Sequence, residues 1–484
     1  MRRWGSVVGL TLLAVALLWW ILEVAFLNSD VRSDESTYGQ FVLAAVGLVV
    51  SLAALWRTFV PSTSTSPDEL ADQFAVAMRS QGEKAATERG LLQPSPLPVR
   101  WAGVSKGITG SVAAATAPRG ANAWFPPLPG LGSVSAADLR SGNREKLHKI
   151  YGALPSGRLI IVGPPGSGKS SAAVLLQLDA LRFREQATAQ DRRQIPVPVI
   201  VTLHGWDPDR TPVEDWLVGK LTLVPLLRGR AGVRKARALL AQHITVILDG
   251  LDEIPERLRP VALRALTNQA TFRMILLSRT DEMLDAARQH GLVGAVAVRL
   301  QPLTAAATTS YLLGPLAAPV PPAWKAIART VEKAGSSPVK AALTSPLWVS
   351  LLHDVYPPLG SLNAKVDELL DTTRFTDSEA VTQHLLDQAV TAAYTPLPGH
   401  GPSRYDPAIA RRALSVIAGK LNRTRDFTWW GVTAWSPLSG VVASVAPTML
   451  VTLPAVLLAA ALITVLAGDL LWLLLAFPRA SPSR

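Results

Sequence analysis

The sequence predicts an α/β fold. A parallel sheet in three layers is followed by a helical region, and apolar helices of membrane length stand at both ends. Three observations carry this reading. Apolar runs at 159–162, 197–203, 244–248, 274–277 and 296–300 recur with helical stretches between several of them, the pattern that parallel crossovers need. A glycine-rich segment, residues 163–171 reading GPPGSGKSS, joins the first run to a helix-forming stretch. Finally, 7–27, 41–56 and 441–477 are far more apolar than the rest of the chain.

From the N-terminus, Val7 to Leu27 is broken only by Thr11 and Glu23, and Phe41 to Trp56 forms a second run. Spans of about 6–27 and 38–56 are expected, making a transmembrane hairpin of residues 1–60. A signal peptide is the competing reading, but the run is too long and no small-x-small site follows it. Arg2, Arg3 and Arg57 flank the hairpin and Asn28–Glu35 between the spans is net acidic, which predicts both ends on the cytoplasmic side. The chain is thus expected in the cell membrane, multi-pass, with its main domain facing the cytoplasm. Its 484 residues contain no cysteine, which excludes disulfides and Cys-based metal sites. The net charge of +12 suits nucleic acid or an anionic membrane surface; the uneven hydropathy favours the membrane, and no specific nucleic-acid partner is predicted.

Residues 61–136 read as a linker containing an amphipathic helix. Ser66-Pro67-Asp68-Glu69 is a capping box, and Leu70, Phe74, Ala77 and Met78 recur at helical spacing over Asp68 to about Glu88. The mixed charge of its polar face predicts packing on protein. Residues 93–132, rich in Pro, Gly and Ala, read as an extended connector. The α/β core is expected over 137–303 and a helical, winged-helix-like region over 304–435. The last stretch, 436–484, reads as one or two membrane segments, with Asp469 either a functional group or a residue at a helix end.

The chemistry concentrates at the ends of the core strands. Residues 163–170 fit G-x-x-x-x-G-K-[ST], the P-loop pattern, in a strand–loop–helix setting. Gly163, Gly166 and Gly168 let the backbone turn so that N–H groups point at phosphate oxygens, with Pro164, Pro165 and Ser167 between them and Ser171 opening the helix. Lys169 is expected on the β- and γ-phosphates, and Ser170 on Mg²⁺. The run 244–248 ends in Asp249-Gly250-Leu251-Asp252-Glu253. Asp249 is expected to hold Mg²⁺ directly or through water, and Asp252 or Glu253 to orient the attacking water. Arg279 ends the next strand, where it would sense γ-phosphate charge. The expected cofactors are therefore ATP or ADP with Mg²⁺. An LSGGQ-like signature and a guanine-recognition motif are both missing, which sets ABC ATPases and GTPases aside.

Together these residues resemble the NACHT branch of the STAND signalling NTPases, notably membrane-tethered actinobacterial members. The small Gly250 after the Mg²⁺ aspartate, with acidic residues two further on, is the branch's most distinctive mark. Val199-Ile-Val-Thr-Leu, Trp206-Asp207-Pro208, Leu300-Gln-Pro-Leu-Thr304 and Ser345-Pro346-Leu347 support it. The likeness covers about residues 140–425. It implies that Pro346 lies against the adenine and that Arg279 is the sensor-1 arginine. It further implies an ADP-closed state released by ATP into a homo-oligomer, slow hydrolysis, and an unidentified protein or ligand trigger. Two departures accompany it: no array of sensing repeats is read, and neither His353 nor His384 has a motif marking it as the family's winged-helix histidine. The alternative functions are a pore-forming effector gated by the NTPase and an AAA-like remodelling ATPase.

Overall fold

A computed structural model describes residues 66–92, 97–104, 107–109, 112–116, 125–229, 231–316, 318–357, 363–395 and 405–421. They divide into two units between Pro302 and Leu303.

In the first unit, helix α1 (Pro67–Glu88) opens on the capping box read from the sequence. Ser66 Oγ accepts from the Glu69 N–H at 3.1 Å, and Glu69 Oε2 accepts from the Ser66 N–H at 3.2 Å. Strands β1 (Arg100–Val104) and β2 (Ser141–Asn143) precede helix α2 (Arg144–Ala153). Strand β3 (Arg158–Gly163) then feeds helix α3 (Lys169–Gln186) through the glycine-rich loop. There follow β4 (Val197–Thr202), α4 (Val213–Leu221), α5 (Gly232–Gln242), β5 (Ile244–Asp249), α6 (Arg259–Gln269), β6 (Met274–Arg279), α7 (Thr280–Gln289) and β7 (Val296–Leu300).

The strands form one sheet in the order β2-β1-β7-β3-β6-β5-β4. Neighbours from β7 through β4 run parallel. Because β6 sits between β3 and β5, three C-terminal tips stand side by side, ending in Gly163, Arg279 and Asp249. The register sets Gly163 opposite Arg279 and Thr202 opposite Asp249.

Alternation along the strands fills both faces. Ile160, Val162, Val246, Leu248 and Leu276 join one core with α1, α4, α5, α6 and α7. Leu159, Ile161, Ile247, Ile275 and Leu277 join the other with α2 and α3. Each such side chain, fully buried, contributes about 2 kcal/mol, so the central strands are fixed in register by their own composition. Helix α1 joins the first core through Leu70, Phe74 and Met78. Its Asp72 meets Arg184 of α3 at 2.7 Å, so this helix packs on protein.

Two expectations change here. The sheet is mixed rather than parallel, because β1 runs antiparallel to β7 and β2 antiparallel to β1. The stretch read as a connector therefore contains a strand. Its pairing is non-local, Trp101 opposite Leu300, and only Trp101 in it is buried. Glycines make the approach possible. A Cβ on Gly103 would strike the Leu139 carbonyl, and one on Gly142 would strike the Trp101 ring, whose Nε1–H donates to Asn143 O at 2.8 Å.

The expected transmembrane helices and the multi-pass cell-membrane location are also corrected. Among the described residues no helix is long and apolar enough to cross a membrane. The longest, α1, has 22 residues but carries Asp68, Glu69, Asp72, Arg79, Glu83, Lys84 and Glu88. The runs at 6–27, 38–56 and 436–484, with Asp469, lie outside the described residues.

The second unit is helical over its described residues. It comprises α8 (Ala305–Leu313), α9 (Pro322–Glu332), α10 (Pro338–Ala342), α11 (Pro346–Val355), a 3₁₀ stretch over Asn363–Leu370, α12 (Ser378–Tyr394) and α13 (Pro407–Leu421). Thr304 caps α8 by accepting from the Ala307 N–H at 3.3 Å.

Candidate functional site

The glycine-rich loop crosses from the tip of β3 to the first turn of α3. Gly166 and Gly168 take φ of 74° and 85°, left-handed values that suit glycine. Gly168 is also the N-cap of α3, and no side chain caps that end, so the helix presents its first N–H groups and positive dipole at the loop. The loop is tight: a Cβ on Gly163 would come within 2.5 Å of Ser167 Oγ. That hydroxyl is buried with no hydrogen-bond partner among the described residues. Pro164 and Pro165 are exposed on the outside of the turn.

Lys169 folds back over the loop, its ammonium donating to the carbonyls of Gly163 at 2.9 Å and Pro164 at 3.0 Å. Burial pushes its pKa down and neighbouring Arg279 adds to this, while Asp252, Asp249 and Glu282 oppose it. Ser170, one residue on, donates its hydroxyl to Asp249 Oδ2 at 2.7 Å. This contact joins residues 79 positions apart and spans the tip of β6. Ser171 continues α3, half-buried.

After Asp249 the chain turns at Gly250, φ 86°, into a 3₁₀ turn over Leu251–Glu253. The Glu253 side chain folds back over Gly250; a Cβ there would lie 2.9 Å from Glu253 Cδ. Asp252, only 12% exposed, meets Arg279 Nε at 2.9 Å. Arg279 is 35% exposed and also approaches Glu282 Oε1 at 3.7 Å.

The structure thus gathers the loop, Ser170, Asp249, Asp252, Glu253 and Arg279 at one end of the sheet. Two further residues belong with them. Glu282, in the first turn of α7, is the second carboxylate on Arg279. Its signal was in the sequence, as an acid three residues past a strand-terminal arginine and so on the same side of the ensuing helix. Arg259 braces the acidic turn, donating to Asp252 O and Ile254 O at 3.0 Å each. A buried backbone contact of that kind leaves no pattern to read.

Whether Mg²⁺ suits these groups follows from their chemistry. Among the described residues no group of three or more His, Cys, Asp or Glu could hold a metal ion. Mg²⁺ does not require one, since it is commonly held by one or two carboxylates together with waters and substrate phosphates. A hydroxyl and a carboxylate already in contact fit that arrangement.

Pro346 belongs to the second unit, where it is the first residue of α11. His353, on the same helix, stacks on Trp324 with ring centroids 5.0 Å apart, and burial lowers its pKa. His384 lies 3.1 Å from the Tyr356 hydroxyl, which donates to Glu368 at 2.6 Å. Both histidines thus sit within the packing of their own unit. Comparison with models of known protein families and with curated proteins finds no match to this chain.

Proposed function

We propose that the chain is a nucleotide-dependent switch of the NACHT/STAND type, binding ATP or ADP with Mg²⁺ at the joined tips of β3, β6 and β5 and hydrolysing ATP slowly. The observation that carries this is the 2.7 Å contact between Ser170 Oγ and Asp249 Oδ2. A P-loop pattern alone is a local feature of sequence. A P-loop serine touching a strand-terminal aspartate 79 residues away is a property of the fold.

In this reading the loop N–H groups and the end of α3 hold the phosphates, and Lys169 exchanges two carbonyls for phosphate oxygens. Ser170 and Asp249 would hold Mg²⁺, which when bound would neutralise phosphate charge. Asp252 or Glu253 orients water, and Arg279 responds to the γ-phosphate. Exchange of ADP for ATP, prompted by a protein or ligand trigger, would release a form that associates with further copies of the chain.

The test is nucleotide analysis of the purified full-length protein beside Lys169→Ala. Retained ADP in the wild type and none in the variant supports the switch. Absence of nucleotide from both, with no binding on addition, removes it.

A further inference from the structure

Arg279 is the group at this site that would distinguish ATP from ADP, yet its guanidinium already carries two carboxylates. Asp252 holds Nε at 2.9 Å and Glu282 stands 3.7 Å from a terminal nitrogen. A γ-phosphate offers the same kind of partner, an anionic oxygen acceptor for a planar donor fork. Engagement of one therefore competes with the other. Asp252 is braced through its backbone by Arg259 and is the more buried of the two. Glu282 projects from the first turn of α7 at the looser distance, which makes it the partner given up first. Asp281, also in that turn, is not among the acids in contact with Arg279.

We infer that Glu282 is a specificity-determining positioning residue: it holds Arg279 back from the γ-phosphate position and so biases the site toward ADP. This deepens the switch reading and rests on it. The bias is an exchange of partners, so removing Glu282 lowers the work of bringing Arg279 to ATP while leaving ADP, which has no γ-phosphate, almost unaffected.

The experiment measures dissociation constants for ADP and for a non-hydrolysable ATP analogue, both with Mg²⁺, on full-length protein. It compares wild type, Glu282→Gln, Arg279→Ala and the double variant. Glu282→Gln is expected to tighten the ATP analogue relative to ADP by roughly three-fold, the scale of a half-exposed ion pair. In the Arg279→Ala background the same change is expected to do nothing, which separates partner exchange from mere loss of a negative charge near a polyanion. Asp285→Asn, the same charge change where α7 faces Arg288, serves as a further control. An unchanged ratio in Glu282→Gln, or a shift that persists without Arg279, overturns the inference while nucleotide binding by the wild type leaves the switch standing. Wild type that binds neither nucleotide removes both.

Discussion

Strand β6 has an arginine at each end, Arg273 just before its first residue and Arg279 as its last, and the two are held by different chemistry. Arg273 is 4% exposed. It donates to the carbonyls of Tyr151 and Leu154 at 3.3 Å and to that of Pro126, with its guanidinium 5.0 Å from the centre of the Phe125 ring. Arg158, which opens the neighbouring β3, behaves alike. It donates to Val293 O and Thr267 O at 2.9 and 3.0 Å, and burial pushes its pKa down to about 10, leaving it charged at neutral pH. Arg279 is a third exposed and rests on carboxylates. Backbone carbonyls cannot move away without unravelling the elements that carry them, whereas a carboxylate on a side chain can be replaced by another anion. The same residue type is therefore a fastener at the N-terminal end of the sheet and an exchangeable contact at the C-terminal end. What decides between the two is the partner together with burial, Arg273 being 4% exposed and Arg279 35%.

The largest effect expected from this contrast is on stability. Arg273→Met keeps apolar bulk but leaves the Tyr151 and Pro126 carbonyls without their donor, while Leu154 O keeps the Gly157 N–H, a loss of about 3 kcal/mol. Arg279→Met removes two ion pairs in which the arginine is a third exposed, worth about 1 kcal/mol after solvent screening. Thermal or denaturant unfolding of the full-length protein should rank them in that order. Equal losses would break the comparison.

Next comes nucleotide binding, where the ranking should invert. Lys169→Ala is expected to lower nucleotide affinity at least ten-fold by titration, with an unfolding midpoint close to wild type, because Lys169 spends its hydrogen bonds on loop carbonyls at a half-exposed position. Asp249→Asn should retain nucleotide but lose the additional affinity that Mg²⁺ confers, read by titration with and without the ion. Should Asp249→Asn still gain as much affinity from Mg²⁺ as wild type does, the metal role of the Ser170–Asp249 pair fails.

This asymmetry also governs what could be read from sequence. The C-terminal end announces itself because the chemistry proposed for it needs particular residue types at fixed spacing: glycines at 163, 166 and 168, Lys169 and Ser170, then acids directly after an apolar strand. The central strands were legible for a similar reason, as buried runs such as Leu159–Val162 have few other places to go. The fastening end was not. Arg158 and Arg273 find main-chain carbonyls, and any residue offers one of those, so no pattern marks the partner. Strands β1 and β2 were missed because their signal is glycine where another backbone or ring approaches, at Gly103 and Gly142, which resembles a loop until the neighbour is known. Corrected likewise is the expectation of membrane-spanning ends: among the described residues no helix is long and apolar enough to cross a membrane, and the apolar runs themselves lie outside those residues.

The smallest effect expected is on pH dependence, and it bears on the fastening end. Helix α2, whose Tyr151 carbonyl accepts from Arg273, also carries His148. Its ring lies 5.0 Å from that of Phe183, and its Nε2 is buried without a partner among the described residues. Burial lowers its pKa, and the nearby Asp179 only partly offsets this. His243 is lowered for the same cause, against the opposing charge of Asp68. With the folded pKa below the unfolded value of about 6.5, the unfolded chain binds more protons as pH falls through this range. Stability contributed by the neutral rings is thus complete above about pH 6.5 and is lost as pH drops toward the folded pKa values. The unfolding midpoint should decline by a few degrees between pH 7 and pH 5, and His148→Phe should flatten part of that slope. Flattening would show that acid works through the packing around α2. An identical slope in His148→Phe would mean that acid enters elsewhere, and the fastening end would then be less closed than its arginines suggest.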